Sequence, residues 1–266
     1  MKRPPSVIAC TRLLSNLGLF CLSVIGFDSC EQLAKPQVSE ATVQTHPLSA
    51  GAKVKIESSC GAIVVSGWDR EECRVEAVKR AGDSRELALI TLEADATGDR
   101  VSVRATSPPG VGSNSNRGPR VDIRVWVPRD AELEHVVSGR GDVAITDTDG
   151  DVVATSVNGS VLVERATGNL RLRCVNGRTV ARLIALTPGR HVDLETVNGS
   201  TSVSLPVDAS VDVSAQVTNG SVMSDLGLPI EPDFPAGRKM EGRLGRGGAT
   251  VSARTANGSV SIWKGR

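Results

Sequence analysis

From Lys53 onward, apolar and polar residues alternate with a period of two along most of the chain. Val54 and Ile56 take one parity; Lys53, Lys55 and Glu57 take the other. The same pattern recurs in Cys73, Val75 and Ala77 against Arg74 and Glu76, in Val101, Val103 and Ala105, and in Val121, Ile123, Val125 and Val127. Alternation of this kind, with Gly, Pro, Asn or Asp between the runs, predicts half-buried β-strands. Gly67-Trp68-Asp69 reads as a turn, and Ser107 to Pro119, rich in Pro, Gly, Ser and Asn, as a surface loop. Asp83 to Leu92 is the one helical stretch, with Asp83 or Ser84 as its cap; a strand from Leu87 to Ala94 is the rival reading.

After Leu133 the strands acquire a refrain. Leu170, Leu172 and Cys174 lead into Asn176-Gly177; Val192, Leu194 and Thr196 into Asn198-Gly199; Val211, Val213 and Ala215 into Asn219-Gly220; Val251, Ala253 and Thr255 into Asn257-Gly258. With Asn158-Gly159, the Asn-Gly pairs step by 18, 22, 21 and 38 residues. A recurring period of this size signals a repeat architecture. Asn-Gly is also a hairpin turn, because both residues accept positive φ, and hairpins would build an antiparallel β-sandwich. The fixed phase of the phrase favours an all-β fold of another kind, a β-solenoid or parallel β-helix with rungs of about 20 residues. In it Asn158, Asn176, Asn198, Asn219 and Asn257 would stack ~4.8 Å apart as a corner ladder of side-chain amides. Residues 53–130 form a small β region before the 131–266 array. Val260, Ile262 and Trp263 would make the last rung, with Trp263 over the open core. Pro229, Pro232 and Pro235 exclude a central strand between Asp225 and Gly248, which reads as a surface excursion.

Composition narrows the function classes. The 266 residues include no Tyr, three Phe and three Trp, so the core is of small aliphatics. A formal net charge of +1 points to no nucleic-acid partner. Met1-Lys2-Arg3 followed by an apolar run from Leu17 to Phe27 reads as an export signal over 1–30, with a linker over 31–52. Cys30 follows that run and is a candidate for lipid attachment, hence for membrane anchoring; ordinary cleavage nearby is the alternative. Cys60 and Cys73 are candidates for a disulfide in an oxidising compartment, or are two free thiols. Cys174, in an alternating row, reads as a small core residue. With no CxxC spacing there is no zinc signature, and no cofactor is implied.

Candidate chemistry is sparse. Arg140-Gly141-Asp142 spells an adhesion tripeptide, but Gly-Asp-Val simply opens a strand, as it does again at Gly150-Asp151-Val152. The nonapeptides of calcium-binding β-rolls are absent. Asn-Gly-Ser at 158, 198 and 219, and again at 257, matches the glycosylation pattern, yet corner geometry explains all four. Asp193 and Glu195, with Asp208 and Asp212 beyond them, are outward carboxylates that could serve acid–base chemistry on a glycosidic bond; an outward charge row is ordinarily a solvated face. His46, His135 and His191 are isolated.

Taken in order, Gly67-Trp68-Asp69, Val121-Asp122-Ile123 leading to Val127-Pro128, Ser138-Gly139-Arg140-Gly141-Asp142-Val143, the repeated Val-Asn-Gly and the closing Asn257-Gly258-Ser259-Val260-Ser261-Ile262 resemble the bacterial putative-adhesin domain family over about Lys53 to Trp263. The resemblance implies a β-helix-like fold and a place in the periplasm, the outer envelope or the cell surface; it supplies no catalytic residues. The expectation is an exported, non-enzymatic envelope protein that presents a binding surface to a protein, glycan or lipid. A carbohydrate-active β-helix enzyme, or a structural or sensor module, is the alternative.

Overall fold

Strict alternation becomes strand. The computed structural model describes residues 38–107, 118–233 and 236–265. The 1–30 stretch read as an export signal, and Cys30 with it, lies outside the described residues. Lys53–Ser58 (β2), Ile63–Trp68 (β3), Glu72–Ala81 (β4), Arg100–Thr106 (β6) and Arg120–Pro128 (β7) each bury the apolar parity read from the sequence. Between them Ser84–Ala88 forms a single helical turn (α1), capped by Asp83, whose carboxylate accepts from the Glu86 N–H at 2.8 Å. Thr91–Thr97 (β5) follows, so both readings of that stretch hold in part. Val38–Pro47, inside the stretch read as linker, is strand β1.

The strands form two ladders. In the first, β6, β2, Glu132–Arg140 (β8), Val152–Asn158 (β10) and the first halves of Leu170–Leu183 (β12), His191–Leu205 (β13), Ala249–Lys264 (β17) and Val211–Ser224 (β14) run parallel in that order. In the second, β7, β3, Val143–Thr146 (β9), Val161–Ala166 (β11) and the second halves of β12, β13, β17 and β14 do the same. The four long strands pass from one ladder to the other, so the 17 strands among the described residues belong to one sheet. One continuous aliphatic core lies between the ladders, from Leu48 and Val54 to Val260 and Ile262.

The expected solenoid is corrected by this order. The sheet is single, nearly closed and barrel-like, with mixed strand order, rather than a parallel stack of rungs. Among the described residues five strand pairs are antiparallel: β1–β4, β4–β7, β5–β6, β14–β16 and β15–β16, where β15 is Ile230–Pro232 and β16 is Arg238–Leu244. These five are too few for the antiparallel sandwich, since the long ladders are parallel. The last strand in sequence, β17, is inserted between β13 and β14, so Trp263 covers no open end. Residues 53–128 extend both ladders at one end, with β2 between β6 and β8 and β3 between β7 and β9. The expected surface excursion instead extends the first ladder: β16 pairs with the first half of β14, and Pro232 sits in outermost β15, where a missing N–H costs no ladder bond.

The passage between ladders occurs at the Asn-Gly phrase. Gly141, Gly159, Gly177, Gly199, Gly258 and Gly220 have φ between 141° and 153°. A Cβ on any of the last five would lie 1.7–2.3 Å from the carbonyl oxygen of the neighbouring glycine in the column. The chain turns there by bringing backbone directly against backbone, a conformation and a clearance open only to glycine.

Gly199→Ala is therefore expected to cost about 3 kcal/mol or more in urea unfolding, from φ strain plus a backbone clash. Gly51→Ala, at φ 69° with nothing within 4 Å, should cost only about 1–2 kcal/mol. Equal losses would show that the column is not close-packed.

Candidate functional site

Three columns of side chains follow from the glycine column. On its solvent side stand the asparagines. Asn176 donates to Asn158, Asn198 to Asn176, Asn257 to Asn198 and Asn219 to Asn257, each Nδ2 to Oδ1 at 2.9 Å. They are in register in the order 158, 176, 198, 257, 219, which is not the chain order. On the inner side, two residues before Arg140, Asn158, Asn176, Asn198 and Asn257, stands a small polar column of Ser138, Ser156, Cys174, Thr196 and Thr255, which ends at the apolar Val217 before Asn219. Ser138, Ser156 and Thr255 donate their hydroxyls to the carbonyls of Gly61, Gly141 and Gly199 at 3.0, 2.9 and 3.1 Å. Cys174 Sγ sits 3.0 Å from the Gly159 carbonyl in the same way. Thus Cys174 is buried, yet holds a hydroxyl's place rather than an ordinary core position. Burial pushes its thiol pKa up, and Asp142 adds to the shift. This inner column was legible as a small polar residue at a fixed offset from Asn-Gly, masked by its varying identity.

The two outer faces of the sheet differ in chemistry. The first ladder's face is charged, and its charges are paired across strands. Lys53 lies 2.6 Å from Glu134, Arg104 2.9 Å from Glu57, Arg173 3.2 Å from Glu195 and Arg243 2.6 Å from Asp212. Hydrogen bonds from Lys55, Lys53 and Arg243 hold Glu57, Glu134 and Asp212, respectively, below the ordinary carboxylate range. The sequence-predicted pair Asp193 and Glu195 belongs to this solvated face, with Asp193 in register with Arg171. His135, 3.4 Å from Glu57, and His191, 2.7 Å from Thr250, lie apart from one another. Among the described residues no three His, Cys, Asp or Glu side chains are grouped to hold a metal.

The second ladder's outer face carries all three tryptophans. Trp68 and Trp126 stack at 6.3 Å between centroids, and the Trp68 indole N–H donates to the Glu72 carbonyl at 2.9 Å. Trp68 closes strand β3 instead of sitting in a turn. Arg70 lies over Trp68 at 4.9 Å, and Arg74 and Arg124 lie over Trp126 at 5.6 and 5.9 Å. Trp263 is 40% exposed. Register places Trp126 and Trp263 in one lateral row: Trp126 beside Ser66, then Thr146, the ion-paired Glu164 and Arg182, Ser204, and Trp263. Next to it a second row runs Val64, Ala144, Leu162, Val180, Ser202 and Ser261, all half-buried. Sequence reading did not single out these tryptophans as a site. The signal was available for Trp126, which takes the outward parity between Val125 and Val127.

The disulfide candidate is corrected: Cys60 and Cys73 are free thiols. The Cys60 carbonyl accepts from Val121, which pairs with Lys79, six residues from Cys73 along β4. That is about 20 Å of strand, against roughly 7 Å for the longest bridgeable Cα separation. Burial pushes the Cys73 pKa up to about 12. Asp142 of Arg140-Gly141-Asp142 is engaged internally, accepting from the Ser160 N–H at 2.7 Å.

No family model matches the chain, and no curated protein does. Among solved structures, a putative cell adhesion protein from Clostridium sporogenes is similar over 85% of this chain and 100% of its own length, at 13% identity and a TM-score of 0.51. A putative adhesin from Bacteroides fragilis covers 85% of this chain and 97% of its own at 13% identity, with a TM-score of 0.38. A putative lipid binding protein from Parabacteroides distasonis covers the same shares at 12% identity, with a TM-score of 0.31. In fold, then, the chain is like the first of these, and the motif resemblance to putative adhesins has a structural counterpart.

Asn198→Ala removes two amide hydrogen bonds from an exposed column and should cost about 1–2 kcal/mol in urea unfolding. No measurable loss would show that the asparagines contribute nothing beyond their turn conformation. Under native conditions iodoacetamide should modify half-buried Cys60 and leave buried Cys73 untouched until the chain unfolds, as read by peptide mass mapping. A disulfide-linked peptide, or equal labelling, would contradict the placement.

Proposed function

We propose that this chain is an exported, non-enzymatic, adhesin-like protein of the bacterial envelope, which engages a surface ligand through the outer face of its second ladder. The observation that carries this reading is the segregation of aromatic side chains. All three tryptophans of the chain project from one face, while the opposite face carries charges paired across its strands, as at Lys53–Glu134 and Arg173–Glu195. Exposed Trp263 and half-buried Trp68 and Trp126 supply apolar area of the kind that anchors binding surfaces at a low entropic cost. The likeness in fold to a protein described as a putative cell adhesion protein supports the same reading. Binding is favoured over turnover because Asp193 and Glu195 lie on the face away from the tryptophans, with Glu195 held by Arg173 at 3.2 Å.

Beads coated with the purified chain should be retained on isolated bacterial envelopes well above beads coated with an unrelated β-protein. Retention no greater than that control would overturn the binding reading and favour a structural spacer.

A further inference from the structure

The lateral row from Trp126 to Trp263 has a length, a chemistry and a charge balance of its own. It crosses six strand-to-strand steps, from β7 through β3, β9, β11, β12 and β13 to β17. At ~4.8 Å per step it runs about 29 Å across the strands. A small molecule cannot touch both ends; an extended polymer can. Between the indoles the row offers hydroxyls at Ser66, Thr146 and Ser204, and the parallel row offers Ser202 and Ser261.

Charge selects among polymers. From β7 to β17 the three outward rows of this face carry three carboxylates, Asp122, Asp142 and Glu164, and three guanidiniums, Arg124, Arg178 and Arg182, which cancel. Glu164 and Arg182 are paired with each other inside the row. Such a surface neither attracts nor repels a charged chain, so it complements an uncharged one. A ring that presents C–H groups on its faces and hydroxyls at its edge matches indole platforms alternating with hydroxyl and amphipathic side chains. The Trp68–Trp126 stack, pinned by the Trp68–Glu72 hydrogen bond of 2.9 Å and flanked by the Arg70, Arg74 and Arg124 guanidiniums, is a preorganised, half-buried platform at one end, where the guanidiniums add hydrogen-bond donors for hydroxyls.

From this we propose that the row is a track for one extended, uncharged polysaccharide chain lying across the strands, with Trp126 and Trp263 as its two end platforms. The inference rests on the binding reading above and names the ligand class of the same face. The fixed spacing of the strands makes binding depend on polymer length, since a chain reaching both platforms gains the second contact intramolecularly.

Affinity electrophoresis of the full chain in native gels tests this. The probes are an uncharged glucan, an uncharged mannan and an uncharged xylan, with polygalacturonate as the acidic comparison. At least one uncharged polysaccharide should retard the chain, and its hexasaccharide should compete at least about tenfold better than its disaccharide. Trp126→Ala and Trp263→Ala should each weaken retardation about tenfold or more. Arg173→Ala, on the opposite face, should leave it unchanged. Trp263 is partly exposed and terminal in its strand, so its variant separates lost binding from lost folding. Retardation only by polygalacturonate, by none of the four, or equally for both tryptophan variants and the parent would overturn the proposal. Bead retention on envelopes without uncharged-polysaccharide binding would leave adhesion standing and remove only this ligand class.

Discussion

The fold depends on a steric constraint more than on any single attraction. At the bend between the ladders, successive backbones approach until each glycine's missing Cβ space is filled by its neighbour's carbonyl. With φ near 145° at every member, the column admits no other residue without strain. Everything beside it inherits its register. The asparagines stack because the glycines stack, and their exposed amide bonds add about 1 kcal/mol each. The inner hydroxyls of Ser138, Ser156 and Thr255 and the Cys174 thiol stack for the same reason and reach glycine carbonyls at the bend.

That register also decides what the surface can be. A side chain one strand further along falls beside its counterpart, so outward positions gather into lateral rows. On one face those rows place opposite charges next to each other, and the face closes on itself electrostatically. On the other they place small hydroxyl and aliphatic residues in line and set indoles far apart along the same row. The interior needs no aromatics, because the two ladders are filled by Val, Ile, Leu and Ala. The tryptophans are therefore surplus to the core.

Much of this was legible. Strand parity could be read residue by residue, as at β2 and β7, because burial on one face imposes a period of two. The Asn-Gly phrase marked the places where the chain turns in register. Strand order could not be read, because a recurrent phrase identifies equivalent positions without saying which copies are adjacent. Asn257 lies between Asn198 and Asn219, and nothing local to any of them records that. The regular stack of rungs was inferred from period alone. The antiparallel additions β1, β4, β5, β15 and β16, which carry no Asn-Gly, turn the array into a mixed, nearly closed sheet. The Cys60–Cys73 pairing failed for a similar reason: closeness in sequence across a turn says little when one strand runs away along a third. Trp68 was missed because a Gly-Trp-Asp string looks like a turn, whereas the strand runs on through the tryptophan.

The central claim is that the glycine column is the most tightly held part of the sheet. Native-state amide hydrogen exchange, followed by peptide, measures this directly. Segments spanning Gly141, Gly159, Gly177, Gly199 and Gly258 should exchange last and together, well after edge strands β1 and β5. Exchange in those segments as early as in the edge strands would contradict the account.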